Sequence, residues 1–249
     1  MKKEYINEVA WGKILAFLRG NKGIYTGSPS KCKNFVEAIF WMARTGAQWR
    51  ELPFYYGSWN SVFKRFNSWS RKNVWNKLLQ HFSQDSDLEY VMIDSTIIRA
   101  HACAAGYGDQ PEQGLGRSAG GFTSKIHAKV DALGNLLKFV VTPGQTSDIT
   151  QARNLLSDVY NAQVLGDKGY SSKKLKSIIE SNNCYVVIPP KSNFLEPWDY
   201  DEHIYKERHL IECFFSKIKY FRRVFSRFDK SMRNFVAFIS FVGACLWLR

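Results

Sequence analysis

The spacing of apolar residues changes its period near residue 88, and this one change divides the chain into two parts that must pack by different rules. Up to about Asp87 the apolar residues recur at helical spacing. Trp11, Ile14, Leu15 and Leu18 mark one helix; Phe35, Ile39 and Met42 mark a second that stops near Gly46; Trp59, Val62, Phe63, Phe66 and Trp69 mark a third; Val74, Leu78 and Leu79 suggest a fourth. From Glu89 the pattern is strand-like. Residues 90–93 form a short apolar run with Asp94 at its end, and Ile126, Ala128 and Val130 alternate with Lys125, His127 and Lys129 before a Gly134-Asn135 turn and a second strand over 137–141, the signature of a β-hairpin. Asp148 is placed to cap a helix over 149–159. A strand at 163–165 ends at Gly166-Asp167, a helix follows over 172–181, and a last strand over 185–188. The expected architecture is a mixed α/β sheet flanked by helices over 88–249, preceded by a small all-helical domain over 1–87.

Charge narrows the choice of partner. Lys and Arg number 35 against 22 Asp and Glu, a formal net charge of +13, so a polyanion is favoured, with nucleic acid ahead of a membrane surface. Lys64, Arg65, Arg71 and Lys72 lie beside several indole rings in the helical part. A basic helix of this kind enters a DNA groove or forms a solvated face, and the sequence leaves both readings open. Between 104 and 123 the chain is rich in glycine and polar residues, fits no phosphate-binding glycine motif, and reads as a mobile loop in which Arg117, with Lys125 just beyond it, is a candidate contact to a DNA backbone. Cys32, Cys103, Cys184, Cys213 and Cys245 are unpaired in spacing and read as reduced thiols. Neither they nor the histidines have zinc spacing. Met1-Lys2-Lys3-Glu4 begins no secretory signal, and the most apolar stretch, residues 235–248, is too short for a bilayer and reads as a buried helix. The expected location is cytoplasmic, at the nucleoid when bound to DNA.

Asp94 and Asp167 both follow strands. If those strands lie side by side and parallel, the two carboxylates emerge at one edge, where like charges persist together around a hard cation such as Mg²⁺ or Mn²⁺. Either aspartate alone reads more readily as a turn or cap residue, and the pair becomes informative only with a third acid; Asp131 and Asp148 are accounted for as hairpin turn and helix cap. A third acid comes with Tyr205, Arg208, Glu212 and Lys219. At about 100° per residue these positions fall at roughly 0°, −60°, −20° and −40° on one helix, a single polar stripe, with Leu210, Phe214, Ile218 and Phe221 on the far face. Such a stripe suits a nucleic acid near a metal. It is also an ordinary salt-bridged surface, since Arg208 and Glu212 are an i,i+4 pair.

Taken together, Ile93-Asp94-Ser95-Thr96, the Gly120–His127 segment (GGFTSKIH), Thr142–Asp148 (TPGQTSD), Gly166-Asp167-Lys168-Gly169-Tyr170 and the Tyr-Arg-Glu-Lys stripe resemble the bacterial insertion-sequence transposases with an Asp-Asp-Glu site and an RNase H-like core. The likeness covers nearly the whole chain. It implies that Asp94, Asp167 and Glu212 are catalytic acids holding Mg²⁺, with Mn²⁺ as a substitute. It also implies that Tyr205, Arg208 and Lys219 handle transposon-end DNA, and that the first helices form a DNA-binding region. Lys64, Arg65, Arg117, Lys125 and Lys168 are further candidates for DNA contact, with His127 as support. The expected chemistry is two-metal phosphoryl transfer, in which Asp94 bridges both ions, acting on terminal inverted repeats and target DNA as a dimer. A nuclease that cuts without joining, or a repressor that only binds, are the competing expectations.

Overall fold

A computed structural model describes residues 3–118 and 121–249; Met1 and Lys2 of the N-terminal reading, and Gly120 of the glycine motif, lie outside the described residues. Along the chain run α1 (Glu8–Gly20), α2 (Pro29–Thr45), α3 (Trp59–Arg71), α4 (Val74–Phe82), β1 (Tyr90–Ala100), β2 (Gly116–Ser118), β3 (Gly121–Val130), β4 (Leu136–Pro143), α5 (Ile149–Leu155), β5 (Gln163–Gly166), α6 (Lys173–Ser181), β6 (Tyr185–Val187), α7 (Glu202–Tyr205), α8 (His209–Lys219), α9 (Arg222–Phe225) and α10 (Met232–Trp247). They form two compact units: Met1–Gln84 with His101–Ala104 and Ile218–Arg249, and Asp85–Ala100 with Ala105–Lys217.

The first unit is helical, and its helix ends follow from local chemistry. Asn7 Oδ1 accepts from the Ala10 amide at 2.8 Å to start α1, and Pro29 follows the Ser28 cap at the start of α2. Gly46 ends α2 in the left-handed region (φ 67°), its N–H bonded to Met42 O, a conformation that favours glycine; a Cβ there would also press on Arg222 Cβ at 3.1 Å. The core is aromatic. Phe66 is fully buried, stacked on Phe238 of α10 with ring centroids 4.5 Å apart, and Trp75 meets Phe241 edge-on at 5.1 Å. α10 is buried on nearly every side, which is why its sequence is apolar all round. Among the described residues no helix is long and apolar enough to cross a membrane.

Arg65, a sequence candidate for DNA contact, is turned inward by the fold. Its guanidinium lies 4.4 Å from the Phe35 ring centroid and 5.0 Å from that of Trp69, and donates to Thr26 O at 3.0 Å. Cation–π contact and a carbonyl partner hold the charge within the bundle, while the neighbouring Lys64 stays exposed. Arg65→Ala is expected to destabilise this unit by about 1–3 kcal/mol in urea unfolding while leaving the salt dependence of DNA binding unchanged; a loss confined to DNA affinity would contradict this role.

The second unit is built on one sheet, ordered β2-β3-β1-β5-β6, with β4 paired to β3. β1 runs antiparallel to β3, from Met92↔Val130 to Arg99↔Thr123, and parallel to β5, from Tyr90↔Gln163 to Ile93↔Gly166; β5 and β6 are also parallel. A three-stranded antiparallel meander followed by two parallel strands is the RNase H-like arrangement, here with β2 as a short addition. Val91, Ile93 and Val164 pack with Ala152 and Leu155 of α5 and Leu175 and Ile179 of α6. The β3–β4 turn is made by Asp131, whose Oδ1 accepts from the amides of Leu133 at 3.1 Å and Asn135 at 2.7 Å, as its turn reading required.

Four sequence expectations change. β1 continues through Asp94 to Ala100 because β3 supplies a partner along its length, so Asp94 sits within a strand and only its parallel neighbour ends there. The helix after Asp148 stops at Leu155, short of Val159. The glycine-rich segment carries β2, paired to the start of β3, with Ser124 Oγ donating to Gly114 O at 2.6 Å and Arg117 lying 4.9 Å from the Phe122 ring centroid. A Cβ at Gly116 would come within 1.7 Å of Gln145 Oε1, so the Gln145 side chain packs directly over this glycine and would have to swing aside for any larger residue. Finally, the helix expected to carry the polar stripe is interrupted by a 3-10 turn over Lys206–Arg208 and ends at Lys219, so that Phe221 has extended backbone and starts α9.

Candidate active site

The parallel pairing of β1 with β5 brings two of the three acids together. Ile93 is in register with Gly166, so Asp94, still within β1, neighbours Asp167, the first residue beyond the end of β5. Asp94 is mostly buried, its side chain 18% exposed. Its Oδ1 accepts from the Ser95 amide at 2.7 Å, and its Oδ2 from Arg208 Nη1 at 3.1 Å. Burial raises the Asp94 carboxyl from 3.8 to about 6; the Ser95 amide and Arg208 oppose the rise, and the Asp167 and Asp148 charges add to it. A carboxyl so disfavoured as an anion gains from any cation that reaches it.

Glu212 comes from α8. Its side chain is 56% exposed and ion-paired with Arg208 Nη2, so one guanidinium links acids 118 residues apart (212 − 94). Burial works against the Arg208 charge, but Glu212 and Asp94 outweigh it and raise its pKa. Asp167 is held locally, since its Oδ1 accepts from Gly169 N at 2.9 Å and caps the short turn over Lys168–Tyr170. Among the described residues, no three His, Cys, Asp or Glu side chains are gathered closely enough to hold a metal ion. The donor set is nonetheless of the right kind, three hard carboxylates, and the seat that Arg208 occupies between Asp94 and Glu212 accommodates positive charge. Asp94, Asp167 and Glu212 are hard oxygen donors of the type Mg²⁺ takes, and Arg208 pairs with two of them, Asp94 and Glu212.

The remaining candidates are dispersed. Tyr205 is half-buried and meets Tyr200 edge-on at 5.6 Å, with Arg208 6.0 Å from its ring centroid. Lys168 and Arg117 are exposed. Lys219 closes α8 and groups with the first unit. Lys125 is not a free surface cation. It is 12% exposed and ion-paired at 3.0 Å with Asp148, and it also donates to Thr146 O at 2.8 Å.

Asp148 is the residue that sequence reasoning misassigned. Its side chain makes no capping bond to α5; its Oδ1 instead accepts from Ser95 Oγ at 2.6 Å and lies 3.6 Å from His127 Nδ1. His127 is fully buried, bonded through Nε2 to Thr142 Oγ1 at 2.8 Å. Burial lowers its pKa to about 4, with Asp148 opposing and Lys125 adding to the fall, so the ring is neutral at pH 7. Thus Asp148 ties strands β1 and β3 together behind Asp94. The alternation that puts Lys125 and His127 on one face of β3, opposite Ser95, was the available signal. The nearby Tyr170 hydroxyl is also buried, and burial followed by the Asp148, Asp94 and Asp167 charges raises its pKa.

Fold and sequence comparisons together define the class, a DNA transposase with an RNase H-like core. Residues 85–248 match the family model "Transposase DDE domain" and residues 6–79 the model "Putative transposase of IS4/5 family", and the chain belongs to this family of DDE transposases. It is 37% identical over 131 residues to the "Putative transposase for insertion sequence element IS6501" of Brucella ovis, covering 51% of this chain and 99% of that protein. To the "Uncharacterized protein y4sN" of Sinorhizobium fredii it is 36% identical over 115 residues, 44% of this chain and 92% of that one. The piggyBac transposase, solved in a synaptic complex with hairpin DNA, shares the fold with a TM-score of 0.54 at 10% identity, over 94% of this chain and 71% of that one.

Proposed function

We propose that this transposase cuts the ends of an insertion-sequence element and joins them to target DNA by divalent-metal-dependent phosphoryl transfer, with Asp94, Asp167 and Glu212 as the metal ligands. The observation that carries this reading is the register of β1 against β5, which sets Asp94 beside Asp167, together with the Arg208 link from Asp94 to Glu212. Mg²⁺ or Mn²⁺ supplies activation of water or a 3′-hydroxyl as nucleophile and stabilises charge on the phosphate. The chain's own part is positioning. The Ser95 amide fixes one oxygen of Asp94 and leaves the other for exchange between Arg208 and a metal. Arg208 pairs with a phosphate, Tyr205 stacks on a base or bonds a phosphate, and Lys219 and Lys168 neutralise the DNA backbone. No covalent protein intermediate is needed. Exposed Lys64 and the helices of the first unit contribute sequence-independent affinity, and two protomers hold the two ends that are joined. The protein works at the chromosome, in the cytoplasm.

The test is incubation of the native protein with pre-cut terminal-repeat DNA, Mg²⁺ and a supercoiled plasmid. Joined products that disappear with a chelator are expected. Hydrolysis without joining would assign a nuclease instead, and DNA binding without either reaction a repressor.

A further inference from the structure

The same guanidinium contacts two of the acids assigned to the metal. Arg208 Nη1 lies 3.1 Å from Asp94 Oδ2, and Nη2 is paired with Glu212. Its side chain is only 20% exposed, so it is seated between the carboxylates. While it stays there, the carboxylate oxygens facing it are unavailable to another cation, and a divalent ion brought beside it meets like charge. Withdrawing Arg208 into water is no simple remedy, since it leaves the mostly buried Asp94 without a counter-charge. A phosphate changes this balance, because it offers the planar fork of Arg208 an equivalent anionic partner, and the vacated acids then need a cation.

We propose that Arg208 is a positioning residue that makes the cation site available only once a DNA phosphate has drawn its guanidinium away from Asp94 and Glu212. This rests on the metal-dependent reading given above. It adds that DNA and metal bind with positive coupling, each tightening the other by the same factor. The metal-loaded protein without DNA is thereby disfavoured.

The test measures binding, not turnover. Mn²⁺ is titrated by electron paramagnetic resonance into the full-length protein alone, and into its complex with a terminal-repeat duplex ending in a 3′-deoxynucleotide, so that no joining follows; binding to duplex alone is subtracted. In the native protein the duplex is expected to tighten Mn²⁺ binding by about tenfold or more. In Arg208→Gln, Mn²⁺ binding without DNA is expected to be tighter than in the native protein, and the effect of DNA to fall to about twofold or less. Arg208→Lys, which keeps one charge but cannot span both acids, should lie between and guards against a folding defect in the glutamine variant. Equal Mn²⁺ affinity with and without duplex in the native protein, or coupling that survives Arg208→Gln, overturns the proposal and leaves the function intact. Failure of the native protein to bind Mn²⁺ in either state removes the metal-dependent function itself.

Discussion

Asp94→Asn is expected to lower strand transfer by on the order of a thousandfold or more, equivalent to about 4 kcal/mol of transition-state stabilisation, while terminal-repeat DNA still binds. Asparagine keeps the shape of the side chain and an acceptor for the Ser95 amide, but loses the anionic charge that a metal requires. The same substitution should stabilise the metal-free fold, and the sign follows from linkage. Burial raises the folded Asp94 carboxyl from 3.8 to about 6, so between about pH 4 and 6 the folded state holds a proton that the unfolded state has lost. Stability therefore falls as pH rises through that window and stays lower above it, by roughly 2–3 kcal/mol. In a chelating buffer, Asp94→Asn should unfold at a higher temperature than the native protein at pH 7, and the advantage should fade toward pH 4. Joined products that persist at the native rate would remove Asp94 from the chemistry; a stability difference independent of pH would remove the burial argument.

The largest expected loss of stability lies in the helical unit. Arg223 and Asp229 face each other at 3.0 Å with side chains 5% and 6% exposed, joined by two parallel bonds. Arg223 also donates to Ala47 O at 2.9 Å and lies 4.8 Å from the Phe238 ring centroid. Asp229→Ala leaves this guanidinium buried without an anion and should cost about 3–5 kcal/mol, lowering the midpoint of this unit by roughly 6–20 °C. Removing both charges, as in Arg223→Met with Asp229→Ala, should recover most of that loss, because the penalty comes from the stranded charge and not from the missing attraction. A single substitution that costs under about 1 kcal/mol would show that water reaches the pair.

Much of this was legible in local pattern. Helical spacing located α1 to α4, because each helix buries one stripe and the stripe is written at fixed intervals. Alternation and the Gly134-Asn135 turn located the β3–β4 hairpin, and an all-apolar stretch located α10. The motifs around Asp94, Asp167 and Glu212 marked the candidate acids, since a family resemblance is carried by residue identity. Local pattern failed where a distant partner decides. Asp148 stands where a helix cap belongs, yet Ser95 and Lys125, both distant in sequence, claim its carboxylate. Arg65 reads as a surface cation until the rings of Phe35 and Trp69 are seen beneath it.

The sequence by itself determined the two kinds of element, their order and the candidate acids, because period and side-chain chemistry are properties of short segments. Only the tertiary structure decided that β5 lies parallel to β1, that α10 groups with the first helices, and that Arg208 sits between Asp94 and Glu212. Strand pairing, helix docking and ion pairing each join residues remote along the chain. Their free energies depend on which groups are desolvated together, and no local spacing encodes that.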